Sequence, residues 1–133
     1  MEQVFHRNLK ELESVFDFLE HHLPGQSIGE RNAFAVKFVV EELFTNMVKY
    51  GRGSTGNITM KIHRSKESCV VTMIDDDVDR FDVTKPPDVN ISQPIQERTP
   101  GGLGIYLINK IVDSIDYTYE NRQSVITFSK RLE

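Results

Sequence analysis

The chain of 133 residues has one cysteine, no tryptophan and five prolines. A single thiol, Cys69, excludes an intrachain disulfide and any zinc centre built on several cysteines. Its place in the run Cys69-Val70-Val71 marks it as a small core hydrophobe. No apolar run approaches a membrane span, and no basic-then-apolar leader opens the sequence, so a cytoplasmic protein is the expectation. An excess of basic charge is also missing. Sixteen Lys and Arg stand against 20 Asp and Glu, a formal net charge of -4, which argues against nucleic acid or an anionic membrane as partner. There is no Gly-x-x-x-x-Gly-Lys-Ser/Thr loop, which excludes the P-loop route to nucleotide binding, and nothing resembles a nucleophile elbow. His6, His21, His22 and His63 show no metal-ligand spacing; His21 and His22 suit the end of a helix, where positive charge is favoured.

What is present is an ordinary globular composition, 38% hydrophobic and 27% charged, of a length that fits one domain over residues 1–133. A short edge strand is expected over 3–7. Leu9, Leu12, Phe16 and Leu19 then recur at helical spacing, with Asn8 as N-cap and Glu11 completing a capping-box pair, and that helix ends near His22. A long helix follows over 30–50, with Phe34, Phe38, Leu43 and Met47 on its buried side and Gly51-Arg52-Gly53 as its stop. Strands are predicted over 57–64 and 68–74, joined by Ser65-Lys66-Glu67, and the second is closed by Asp75-Asp76-Asp77. The proline-bearing stretch 82–99 has no periodicity and is long for a passive connection, so it reads as a lid or binding loop. A helix from the glycine cluster to about Ser114 and strands over 115–120 and 124–131 complete the chain. The order predicts an α+β fold, a two-layer α/β sandwich whose mainly antiparallel sheet carries its helices on one face.

Three segments can carry chemistry. Gly101-Gly102-Leu103-Gly104 opens a helix, and glycines there allow a ligand close to the main chain beside the positive end of the helix dipole. Glu42 and Asn46 are four apart, hence on one face of the long helix, where a carboxylate and an amide can hold a hydrated cation or position a hydroxyl. An isolated pair of this kind is more often a solvated polar stripe. Glu41 points about 100° away around the helix and reads as surface. Asp76, at a strand end, can accept hydrogen bonds from an exocyclic amine, although turn-forming aspartates are common at such ends. Three adjacent aspartates repel one another, which favours a cation or a donor-rich ligand nearby.

Taken together, Glu42-x-x-x-Asn46, an Asp after a central strand followed by Phe81-Asp82, a variable loop and Gly-Gly-Leu-Gly before a helix resemble the histidine-kinase-like (GHKL) ATP-binding superfamily. Within it, the chain is similar to the small anti-sigma-factor serine/threonine kinases over almost its whole length. The resemblance implies ATP and Mg²⁺ as cofactors, with Asn46 on the metal and Glu42 as general base toward a serine or threonine of a small antagonist protein. It implies that Asp76 receives the adenine amine, beside Val78 and Phe81. Gly101, Gly102, Leu103 and Gly104 would pass close to the phosphates, with Arg98 and Thr99 of the lid in reach. It further implies a sigma factor or similar regulator as partner, and a homodimer. The family pattern Asp-x-Gly departs here, because spacing back from Phe81 puts Val78 at the glycine position and residues 75 to 80 hold no glycine, which blurs which of Asp75, Asp76 and Asp77 matches; spacing to Phe81 favours Asp76. A β-branched residue at the glycine position adds bulk beside the expected pocket. The alternative is a degenerate relative that keeps the fold and partner surface but binds nucleotide weakly and transfers no phosphate. The catalytic half of a sensor histidine kinase is a third reading, and it fails because the chain has no room for a phosphoacceptor helix pair.

Overall fold

Alternation along the strands decides the architecture. In the computed structural model, which describes residues 1–51, 53–80, 82 and 102–133, five strands form one sheet in the order β1-β2-β3-β5-β4, every neighbour antiparallel. They are β1 (Glu2–Phe5), β2 (Ile58–Ser65), β3 (Ser68–Asp76), β4 (Ser114–Glu120) and β5 (Gln123–Arg131). Ile58, Met60 and Ile62 of β2, Cys69, Val71 and Met73 of β3 and Ile126 and Phe128 of β5 are buried, while the residues between them are partly open. With a period of two, that pattern gives the sheet one covered face and one open face. The cover is α1 (Leu12–His22), α2 (Glu30–Tyr50) and α3 (Gly102–Ile111), whose apolar residues join the same core. The expected α+β sandwich is thus the observed one. Among the described residues, no helix is long and apolar enough to cross a membrane.

The long helix α2 holds the core together. It has no internal Gly or Pro, and its stripe of Val36, Val39, Val40, Leu43, Phe44 and Met47 recurs at three and four. Gly51 ends it, donating its N–H to the Met47 carbonyl at 3.0 Å. Phe44 and Phe18 of α1 both meet Phe5 of β1 edge to face, with centroids 6.2 and 6.1 Å apart. Such pairs add about 0.5–1.5 kcal/mol each beyond the area they bury. Cys69 is buried in this core, and desolvation pushes its thiol up to about 11, so it stays protonated.

Several sequence expectations are corrected in detail. Phe34, expected inside, is 72% exposed, because it lies about 200° around α2 from Val36, which heads the buried stripe. Leu9 is exposed as well, since residues Leu9–Glu11 form a 3-10 turn before α1 and so fall out of phase with it. Asn8 does cap that turn, accepting from the Lys10 N–H at 2.9 Å, but Glu11 reaches back to the N–H of His6, not of Asn8. Strand β3 runs on to Asp76, so two of the three aspartates are strand residues paired with β5 at Ser124 and Gln123. Helix α3 stops at Ile111, because the Asp113 N–H bonds to the Ser129 carbonyl and Ser114 already opens β4. The expected lid over 82–99 lies outside the described residues, apart from Asp82.

Candidate functional site

Helix α2 carries Glu42 and Asn46 one turn apart, on the flank that meets α3 and the end of β3. Asn46 is only 3% exposed, and among the described residues its Nδ2 has no hydrogen-bond partner. An unmatched buried donor costs about 1–3 kcal/mol, so a helix selected for stability alone would carry an apolar residue here. Glu42 lies half exposed against the start of α3. A β-carbon on residue 104 would overlap Glu42 Oε2, so glycine there leaves the carboxylate room against α3. Burial holds the Glu42 carboxyl above its ordinary range, and the neighbouring Glu41 charge adds to the effect. Glu41 itself is exposed, as its place around the helix requires.

The aspartates at the end of β3 do not crowd round a common ligand; they point apart, each to its own partner. Asp75, on the covered face of the sheet, is 6% exposed and takes a hydrogen bond from Arg7 Nη2 at 2.5 Å. Asp76, on the opposite face, accepts from Gln123 Nε2 at 2.7 Å. Arg122 reaches Asp77 with Nε at 3.0 Å and Asp79 with Nη1 at 2.8 Å. Protein cations and an amide therefore relieve the repulsion that had suggested a bound ion. Burial raises the Asp75 carboxyl, and the hydrogen bond and charge of Arg7 pull it back part of the way.

Asn46, Asp75 and Asp79 border one cavity. Its wall is formed by Asn46, Met47, Tyr50 and Gly51 at the end of α2, by Asp75, Ser124 and Ile126 on the sheet, and by Val78 and Asp79. Its volume is about 20 Å³ for a water-sized sphere, so admission of a flat heterocycle requires the walls to part. Val78 closes one side. Its N–H donates to the Arg122 carbonyl at 3.0 Å and its carbonyl accepts from the Tyr119 hydroxyl at 2.8 Å, which ties this corner to the β4–β5 hairpin.

Backbone angles locate the glycine position that spacing had assigned to Val78. Asp77 has φ of 58°, in the left-handed region where glycine is at ease and Asp is among the few tolerated substitutes, whereas Val78 has no positive φ. Asp75-Asp76-Asp77 therefore matches the conformational demand of Asp-x-Gly, with the buried carboxylate first and the left-handed residue third.

Of the residues singled out from sequence, the structure brings together Asn46 and Val78 on the cavity, and separately Glu42 and Gly104 against each other. It places the Asp76 side chain elsewhere. Gly102 and Leu103 lie in the first turn of α3. Phe81, Arg98, Thr99 and Gly101 lie outside the described residues. Sequence reasoning ranks Asp75 behind Asp76 and misses Ser124 and Arg7. Strict alternation from Met73 would have put Asp75 first, and register with it would have found Ser124, but nothing local announces Arg7, which meets Asp75 across 68 positions.

The α+β layers define the class of fold, and the comparisons with known proteins agree. Residues 5–130 match the family model of the histidine kinase-like ATPase domain, and the chain belongs to that family. Over 102 residues it is 28% identical to the serine-protein kinase RsbW of Halalkalibacterium halodurans, an alignment covering 74% of this chain and 62% of that protein. The chain thus spans less than two thirds of that relative's length. Its fold is similar to that of the histidine kinase AdeS of Acinetobacter baumannii, with a TM-score of 0.55 and 13% identity, covering 100% of this chain and 68% of the other. At that identity the likeness is one of fold.

Proposed function

We propose that this protein binds Mg-ATP at the cavity between α2, β3 and β5 and transfers a phosphoryl group to a serine or threonine of a small antagonist protein. In the same reading it sequesters a sigma factor or a similar regulator, is cytoplasmic and acts as one domain. The observation that carries the nucleotide part is the unmatched Asn46 amide, buried at a cavity that Asp75 also lines. A buried donor without a protein partner calls for an explanation, and a bound ligand supplies one here. The amide can turn either its NH₂ or its carbonyl oxygen inward, which suits a phosphate oxygen or Mg²⁺. Among the described residues no group of three His, Cys, Asp or Glu could hold a metal, so a cation here would rest on Asn46 and on phosphate oxygens, as Mg²⁺ commonly does.

Each residue then has a role. Asp75, in place of Asp76, accepts the exocyclic amine of the base, with the Ser124 hydroxyl beside it in register. The start of α3, flush against Glu42 at Gly104, turns backbone N–H groups toward the phosphates. Glu42, with its raised carboxyl, would take the proton of the acceptor hydroxyl as that oxygen bonds to the γ-phosphorus and the bond from phosphorus to the bridging oxygen breaks, ADP leaving. Membership of the family and the kinase relative support the reaction class; the antagonist and the regulator follow the resemblance.

Two observations favour the second reading, a partner-binding module without kinase activity: the cavity is narrow, and Asp75 is already paired with Arg7. The test separates the two readings. Mg-ATP is expected to raise the thermal midpoint of the wild type, and Glu42→Ala is expected to keep that shift while failing to label a cognate antagonist. A wild-type melting curve unmoved by millimolar Mg-ATP would select the second reading. Labelling by Glu42→Ala at the wild-type rate would remove Glu42 as the base.

A further inference from the structure

We infer that Arg7 sets the choice of purine at this site by holding one oxygen of Asp75. The inference rests on the nucleotide reading above and adds a residue outside its motifs. Arg7 follows the edge strand β1, yet its side chain crosses the sheet end and is 6% exposed. Nη2 lies 2.5 Å from Asp75 Oδ1 and 3.0 Å from the Asp76 carbonyl, and Nη1 lies 3.0 Å from the Met47 carbonyl. Gly51 lies flush against the guanidinium, because a β-carbon there would overlap Nη1. The side chain is therefore fixed by β3 and α2 together. It cannot swing off Asp75 without abandoning two carbonyls.

The consequence is chemical. A carboxylate with both oxygens free pairs side by side with two adjacent donors, the arrangement that guanine offers with N1–H and its N2 amine. Adenine offers one amine on that edge. With Oδ1 held by Arg7, Oδ2 is the oxygen left for a base, one acceptor for one donor. Adenine satisfies it. Guanine brings a second donor beside the first, where Oδ1 is already taken by Arg7, and a donor that loses its paired acceptor in a desolvated site is rejected. Arg7 thus acts through Asp75, as a positioning residue for base recognition.

The experiment measures the affinities of the whole chain for Mg-ATP and Mg-GTP by calorimetry, for the wild type, Arg7→Met and Arg7→Lys. The wild type is expected to prefer ATP, and Arg7→Met to narrow that preference by about tenfold or more, the scale of one bidentate pair. Arg7→Lys keeps the charge and the stem without the fork, so its preference falls between, and it serves alone if Arg7→Met does not fold. Equal weakening of both nucleotides would mean that Arg7 is merely structural, and the inference would be wrong. A second readout needs no nucleotide. The Asp75 carboxyl, followed by carbon-detected NMR, is expected to titrate at higher pH in either variant, and an unmoved midpoint overturns the pairing. If that midpoint moves but the wild type binds neither nucleotide, the nucleotide reading has failed and base choice goes with it. If the wild type binds both with an unchanged ratio in the variants, base choice alone has failed.

Discussion

Glu42 Oε2 occupies the space that a side chain on residue 104 would need, so a carboxylate on α2 and the backbone of α3 are in mutual contact. Gly104→Ala is expected to push the carboxylate aside while the fold survives, because the displaced atoms are the free end of a flexible side chain. A shift of about 1 Å in a catalytic group can cost on the order of a hundredfold. We expect phosphoryl transfer to fall on that scale while the Mg-ATP thermal shift persists. Full activity in Gly104→Ala would show that Glu42 placement does not matter.

Asn46 sets stability against ligand binding. Removing a buried donor that has no partner relieves its desolvation cost, so Asn46→Ala is expected to match or slightly exceed the wild-type melting point without ligand. The same substitution is expected to abolish most of the stabilisation by Mg-ATP. Paired melting curves with and without nucleotide decide it, and a large loss of stability in the ligand-free protein would contradict an unmatched amide.

The raised carboxyl of Glu42 has a sign that can be checked. The folded state holds this proton more tightly than the unfolded chain, whose value is near 4.5. Stability from this group is therefore present below that value and is lost as pH rises through it toward the folded value. Thermal midpoints across this window are expected to fall for the wild type relative to Glu42→Gln. The transfer rate is expected to rise with pH over the same window, since a base must be unprotonated. Glu41→Gln, which removes the like charge, is expected to move that limb toward acid; an unmoved limb would assign it to another group.

Adjacent glycine substitutions test the register at the end of β3. Asp77→Gly puts glycine at φ of 58° and gives up only exposed pairing to Arg122, so stability is expected to hold or to rise by up to about 1 kcal/mol. Val78→Gly empties a buried, cavity-lining position and frees the backbone, and should cost about 2–4 kcal/mol in denaturant unfolding. The reverse order of costs would return the glycine position to residue 78.

Local pattern carried much of the fold. The stripe on α2, the alternation in β2, β3 and β5 and the stop at Gly51 are signals within a few residues of one another, and they set the α+β layers before any contact is known. The Glu42–Asn46 pair was equally legible, because a four-residue spacing means one helix face wherever the helix goes. Phe34 was misjudged because an aromatic near the helix start looks like part of a stripe whose phase only packing fixes. Asp76 was preferred to Asp75 for a related reason: counting back from Phe81 measures chain length, while the face a side chain takes depends on how far β3 continues.

By itself, the sequence determined which segments become helix or strand and which residue types stand ready for phosphate, amine and proton. It could do so because periodicity and backbone preference act over short distances. Tertiary structure alone decided that Asp75 faces the cavity, that Asp77 takes the glycine's conformation, and that Arg7 arrives from the sheet edge to claim a carboxylate oxygen. Those outcomes depend on strand register and on desolvated charges seeking partners across the fold, and no spacing along the chain records them.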